Sequence, residues 1–232
     1  MSSAGKSYVL ESILQTGLLP VFYNSDLEKA KEIVKACVAG GVRAVEFTNR
    51  GPRAYEVFSL LSSWSKTVQP DVTLGAGTII DSSTAALFIN VGAGFIVSPI
   101  LDTKVSRLCN RRRIPYIPGC QTPTEISSAQ AAGAELIKVF PAHIVTPSFI
   151  GSVLAPLSRS LLMPSGGVKV DQRDIGEWIR AGAVALNIGS ELVPSNPGTK
   201  DDFAGITLRV QNCLKWIEEA RLRSKSRSRG GS

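Results

Sequence analysis

The feature that most restricts how this chain can fold is a repeated alternation. Short runs of β-branched and aliphatic residues are each followed by a longer amphipathic stretch. Residues 18–23, 42–48, a run opening at 73–75, 95–98, 115–118, 136–140, 160–163 and 183–188 read as strands. An opening helix is expected over 9–16. Further helices follow each strand: to about residue 39 behind a Ser25-Asp26 cap, then over 52–64, 81–91, 102–113, 123–132, 147–154, 171–181 and 202–223. Eight β-then-α units without an interrupting linker predict an α/β protein, a (β/α)8 TIM barrel with a short N-terminal helix. Recurring small-residue signals, such as Ala-Gly-Gly-Val and Arg-Ala-Gly-Ala, end helices and open strands, and a shared αβ turn explains them. A doubly wound open sheet is the alternative. It is disfavoured because no G-x-G-x-x-G follows the first strand.

The chain has 232 residues, a normal length for one barrel, and 44% of them are hydrophobic with few aromatics. No apolar run approaches the ~18 residues of a transmembrane span, and residues 1–7 are polar, so a cytoplasmic location is expected. The net charge of +7 comes mainly from the end of the chain. Arg221, Arg223, Lys225, Arg227 and Arg229 are five of the 26 basic residues, and without them 21 face 19 acidic ones. The expected organisation is one barrel domain over 1–223 and a basic, disordered tail over 224–232. Such a tail could bind nucleic acid, but no stacking aromatics are interleaved, so a solvated end is the favoured reading. Cys37, Cys109, Cys120 and Cys213 are scattered and distant from His143, the single histidine; reduced thiols and no metal site are expected.

Within this pattern, residues 135–142 place Lys138 in the middle of an apolar run. A buried ammonium is costly, and it finds a carboxylate, reaches water or gives up its proton; the neutral amine is a nucleophile towards ketones. In a barrel the active site lies at the carboxyl ends of the strands. There the sequence offers Glu46, Thr48 and Arg50 on strand 2, Thr78 after strand 3, Lys138 on strand 6, and two glycine turns: Ser165-Gly166-Gly167 after strand 7 and Gly189-Ser190 after strand 8. If the 44/46/48 and 136/138/140 faces point inward, Glu46 and Lys138 converge; a structural ion pair is the plain alternative. The two glycine turns sit where barrels often hold phosphate, and Arg50 has the fork geometry for a carboxylate. His143 reads as a rim residue and Cys120 as packing.

Six motifs occur in order: Gly-Gly-Val-Arg-Ala-Val-Glu-Phe-Thr ending at Thr48, Gly-Ala-Gly-Thr (75–78), Phe-Ile-Val-Ser-Pro (95–99), Ile-Pro-Gly (117–119), Lys-Val-Phe-Pro-Ala (138–142) and Pro-Ser-Gly-Gly-Val (164–168). Together they resemble the 2-keto-3-deoxy-6-phosphogluconate (KDPG)/KHG class I aldolases over about residues 18–194. The resemblance implies a cytoplasmic homotrimeric barrel of Entner–Doudoroff carbohydrate metabolism. It implies cleavage of KDPG to pyruvate and glyceraldehyde 3-phosphate, with small-molecule keto acid and aldehyde substrates and no cofactor beyond the covalent Schiff base. It assigns Lys138 as the Schiff-base lysine and Glu46 as general acid/base. Arg50 and Thr78 would hold the substrate carboxylate, and Ser165, Gly166, Gly167, Gly189 and Ser190 the phosphate. The same family includes aldolases of 4-hydroxy-2-oxoglutarate and of 2-keto-3-deoxy-6-phosphogalactonate.

This chain departs from the family pattern in carrying Ser165 for the usual threonine and Ile100 for a glycine after strand 4. Two other readings compete: a sugar-phosphate isomerase or epimerase that would not use Lys138 as a nucleophile, and a non-catalytic scaffold or assembly protein.

Overall fold

The computed structural model describes residues 6–194 and 202–229. Along them run α1 (Lys6–Thr16), β1 (Leu18–Phe22), α2 (Leu27–Gly40), β2 (Ala44–Thr48), α3 (Ala54–Val68) and β3 (Thr73–Gly77). There follow α4 (Ser82–Asn90), β4 (Ile96–Val97), α5 (Thr103–Arg112), β5 (Tyr116–Ile117), β6 (Gly119–Cys120) and α6 (Pro123–Ala131). The last elements are β7 (Leu136–Val139), α7 (Ala142–Leu154), β8 (Leu161–Pro164), α8 (Gln172–Arg180), β9 (Leu186–Ile188) and α9 (Phe203–Arg229).

Acidic and hydroxyl caps set most helix starts. Asp26, Asp81, Asp102 and Asp171 accept first-turn backbone N–H groups, and Thr122 with Glu125 forms a reciprocal capping box. Helix α7 begins at Ala142 rather than at Pro147 as predicted. Thr146, at φ 60 and ψ 163, breaks it before Pro147, since the residue before proline avoids the helical region. Residues 224–229, predicted as tail, belong to α9, while 230–232 lie outside the described residues. Among the described residues no helix is long and apolar enough to cross a membrane.

Every strand pair is parallel, in two sheets of order β5-β4-β3-β2-β1-β9 and β6-β7-β8. The strands thus form an α/β fold whose continuous ladders run in two parallel sheet sections. The fifth strand is divided at Pro118, which has no N–H to give to a ladder. Hydrogen bonds nevertheless cross both seams. The Lys138 N–H donates to the Pro118 carbonyl at 2.9 Å, and the Val184 N–H to the Leu162 carbonyl at 3.0 Å. Ser165 and Asn187 form an isolated parallel bridge.

Strand alternation sorts side chains into two cores. Leu18, Phe22, Val45, Phe47, Ile137, Val139, Leu162 and Leu186 pack with the helices. The opposite faces contribute Leu19, Ala44, Phe95, Val97, Ile117, Leu136, Met163 and Ala185 to a second cluster, which Val9, Leu10 and Ile13 of α1 complete. Burying each large aliphatic side chain contributes about 1.5–3 kcal/mol. Helix α1 thus covers this second cluster at the amino-terminal ends of the strands. Arg221 of α9 ties it down by donating to the carbonyls of Leu14, Gln15 and Val184 at 2.7–2.8 Å.

Candidate active site

One alternation further along each strand, the inner face changes from apolar to polar. Ala44 gives way to Glu46, Leu136 to Lys138, Met163 to Ser165 and Ala185 to Asn187, all of them buried. The apolar layer excludes water from below, so these polar groups interact in a low-dielectric setting.

Lys138 is 4% exposed and pairs in register with Gly119 on β6 and Met163 on β8. Burial pushes its ammonium below the usual lysine range; the Glu46 charge opposes that shift and the Arg50 charge adds to it. Among the described residues Lys138 makes no ion pair, so the structural pairing with Glu46 considered from the sequence does not tie up the amine. Its Nζ sits 5.0 Å from the centroid of the Phe140 ring, a contact that favours the ammonium modestly. Desolvation outweighs it here, because the side chain is nearly wholly withdrawn from water.

Glu46 is fully buried. Its Oε2 accepts from Asn187 Nδ2 at 3.0 Å, while Oε1 has no hydrogen-bond partner. Asn187 also donates to the Leu19 carbonyl at 3.2 Å and accepts from the Ser165 hydroxyl at 2.6 Å. The carboxylate lies across the neighbouring strand at Gly77, where a Cβ would overlap Oε1.

Arg50 and Thr78 meet at the rim. Arg50 Nε donates to Thr78 Oγ1 at 3.1 Å, and the Asn49 N–H donates to the Gly77 carbonyl at 2.8 Å, joining the loops that leave β2 and β3. Thr78 holds φ 60, a strained value for a β-branched residue.

The two glycine turns also adjoin, since the Ser165–Asn187 bridge sets β8 beside β9. Gly166 and Gly167 have φ of 82 and 98, conformations open to glycine, and a Cβ at Gly167 would press on His143. Gly167 and Ser190 are exposed, Gly166 and Gly189 half-buried. Ser165 differs from them. Its hydroxyl goes to Asn187 and its N–H to the Val139 carbonyl, so both donors are used inside the protein.

The sequence profile described as KDPG and KHG aldolase matches residues 9–209. The chain belongs to this aldolase family. It is 32% identical to the KHG/KDPG aldolase of Escherichia coli (strain K12) over 208 residues, 88% of this chain and 94% of that one. It is 29% identical to the 2-dehydro-3-deoxy-phosphogluconate aldolase of Treponema pallidum (strain Nichols) over 210 residues, 90% of this chain and 97% of that one. A solved structure of native KDPGal superposes with a TM-score of 0.79 at 25% identity, covering 88% of this chain and 96% of the other.

Other candidates in this aldolase-family chain fall outside the buried layer. His143 is exposed at the rim, with Nδ1 3.3 Å from the Gly166 carbonyl. Ile100 is half exposed in the loop after β4, its N–H donating to Ser98 Oγ and its carbonyl accepting from the Tyr116 hydroxyl. Cys120 is buried and burial pushes its thiol up to about 12, which leaves no thiolate for catalysis at neutral pH. All four cysteines are free and buried. Sequence reasoning passed over Asn187. The available signal was a carboxamide in an otherwise apolar strand, two residues beyond the inward-facing Ala185.

Proposed function

We propose that this protein is a class I aldolase that cleaves 2-keto-3-deoxy-6-phosphogluconate to pyruvate and glyceraldehyde 3-phosphate. The observation that carries the reading is Lys138. It is an inward, almost fully buried lysine whose proton is destabilised by desolvation, in a chain of an aldolase family. Nucleophilic attack on a ketone is made by the neutral amine, the form that burial favours.

The steps follow from where charge develops. Lys138 Nζ adds to the C2 ketone and water leaves, giving a protonated imine. The C4 hydroxyl passes its proton to Glu46, the C3–C4 electron pair moves into the imine, and the aldehyde departs. The enamine then takes a proton at C3, and hydrolysis returns pyruvate and the free lysine. Arg50, whose terminal amino groups make no other hydrogen bond among the described residues, would receive the substrate carboxylate together with Thr78. The phosphate would lie against Gly166, Gly167, Gly189 and Ser190, with Ser165 shaping that loop instead of donating to the anion. Binding remote from the reacting bond supplies orientation.

A phosphorylated substrate is favoured over 4-hydroxy-2-oxoglutarate because the two glycine turns stand side by side. We read the strands as one closed (β/α)8 barrel in a single domain over residues 1–223, supported by hydrogen bonds across both seams and by the inner cluster that strands and α1 share. A homotrimer in the cytoplasm, active in Entner–Doudoroff breakdown, belongs to the same reading. Exposed Ile80, just before α4, and Leu87, within it, would suit a subunit contact.

The test is borohydride reduction in the presence of pyruvate, followed by peptide mass mapping, with light scattering for the oligomer. A reduced pyruvyl adduct on Lys138, absent in Lys138→Ala, is expected. Folded protein that forms no adduct refutes the imine mechanism.

A further inference from the structure

Asn187 carries a buried carboxamide into the polar layer, where a valine or leucine would pack without any need for partners. Its three hydrogen bonds leave no freedom of orientation. The Leu19 carbonyl and the Glu46 carboxylate accept, so the NH2 end faces both, at 3.2 and 3.0 Å. The Ser165 hydroxyl, 2.6 Å away, donates to the remaining oxygen. The consequence falls on Glu46. One carboxylate oxygen is held by an amide, and the other, Oε1, is buried without a partner beside Gly77. A buried carboxylate oxygen left unpaired is costly to folding, and it is the oxygen free to meet a substrate proton.

We infer that Asn187 is a positioning residue for proton transfer, holding Glu46 Oε2 so that Oε1 is the atom that exchanges protons with the substrate, and that Ser165 keeps Asn187 in that orientation. The inference rests on the aldolase reading of Glu46. The step it serves is balanced: Oε1 accepts the proton of the C4 hydroxyl as the C3–C4 bond breaks, and the same proton is available for C3 of the enamine. Lys138 on β7 feels the charges of both Glu46 and Arg50 beyond β2.

The experiment compares wild type with Asn187→Asp, Asn187→Val and Ser165→Ala in two assays on folded protein. One is borohydride trapping of pyruvate on Lys138. The other is deuterium uptake into the pyruvate methyl group in D2O, which needs the proton transfer but not the aldehyde. Aspartate preserves the shape of asparagine but replaces the NH2 donor with a second acceptor. Asn187→Asp is expected to trap pyruvate and to exchange at least about tenfold more slowly than wild type near pH 8. Its rate relative to wild type should recover as the pH falls, when the new carboxyl regains a proton to donate. Asn187→Val should be slow without that recovery, and Ser165→Ala should fall by a smaller factor. Asn187→Asp that exchanges like wild type at every pH overturns the inference alone. Should Asn187→Asp not fold, undiminished exchange in Ser165→Ala overturns it. Wild type that neither traps nor exchanges overturns the aldolase reading and this inference together.

Discussion

Glu46 Oε1 rests so close to Gly77 on the adjacent strand that a single methyl group at residue 77 would overlap it. The pairing of Thr48 with Gly77 fixes the two strands in that register, so the carboxylate rather than the backbone must yield. Gly77→Ala is expected to turn Glu46 out of place, lowering kcat by about a hundredfold while pyruvate trapping on Lys138 persists. A coupled assay of aldehyde release, read beside the trapping assay, checks this.

As the proposed Schiff-base lysine, Lys138 links catalysis to stability. Its folded-state proton is held less tightly than in the unfolded chain. The resulting destabilisation is complete at pH below the folded value and vanishes as pH rises through the ordinary value of 10.5. Lys138→Met, close in volume and free of charge, should be at least as stable as wild type at neutral pH and should lose this rise of stability with pH. Urea unfolding at several pH values measures it, and a wild-type-like slope in the variant would contradict the account. The same shift predicts that trapping by wild type levels off at a pH below 10.5.

The Arg50–Thr78 contact predicts a split between stability and binding. Thr78→Gly relieves a positive φ, a strain of order 1–3 kcal/mol, and removes the hydroxyl that accepts from Arg50 Nε. Thermal unfolding should be unchanged or raised, while KM for the keto acid rises severalfold.

Ser190 supplies a comparison between substrates. Ser190→Ala is expected to raise KM for the phosphorylated substrate by about tenfold, in line with a charge-assisted hydrogen bond, and to leave cleavage of 4-hydroxy-2-oxoglutarate unaltered. Equal effects on both would remove the phosphate assignment.

Arg221 makes a structural prediction. Its guanidinium satisfies three carbonyls, two at the end of α1 and one before β9, with donors spread in a plane. Lysine cannot reproduce that fork. Arg221→Lys should lower stability by about 1–3 kcal/mol, seen in denaturant unfolding, and keep kcat per folded molecule.

The alternation of strands and helices, the cap at Asp26, the helix starts at Asp81, Asp102 and Asp171, and the suspicion attached to Lys138 were legible in the sequence. Each depends on local chemistry: side-chain period, first-turn N–H groups, and the cost of an ammonium in an apolar run. Glu46, Arg50 and Thr78 were legible as residues at strand ends, and the family resemblance suggested the roles proposed for them. What the tertiary structure alone decided was who meets whom. Asn187 reaches Glu46 across 141 positions of the chain, and no local pattern encodes a contact at that separation. Ser165, read from its motif as a phosphate ligand, has its hydroxyl drawn to Asn187 because β8 and β9 adjoin. The division of the fifth strand at Pro118 likewise depended on which neighbour needed an N–H there. Periodicity sets which face of each strand turns inward, but only the closing together of distant strands determines which oxygen of a buried carboxylate is held and which is left free.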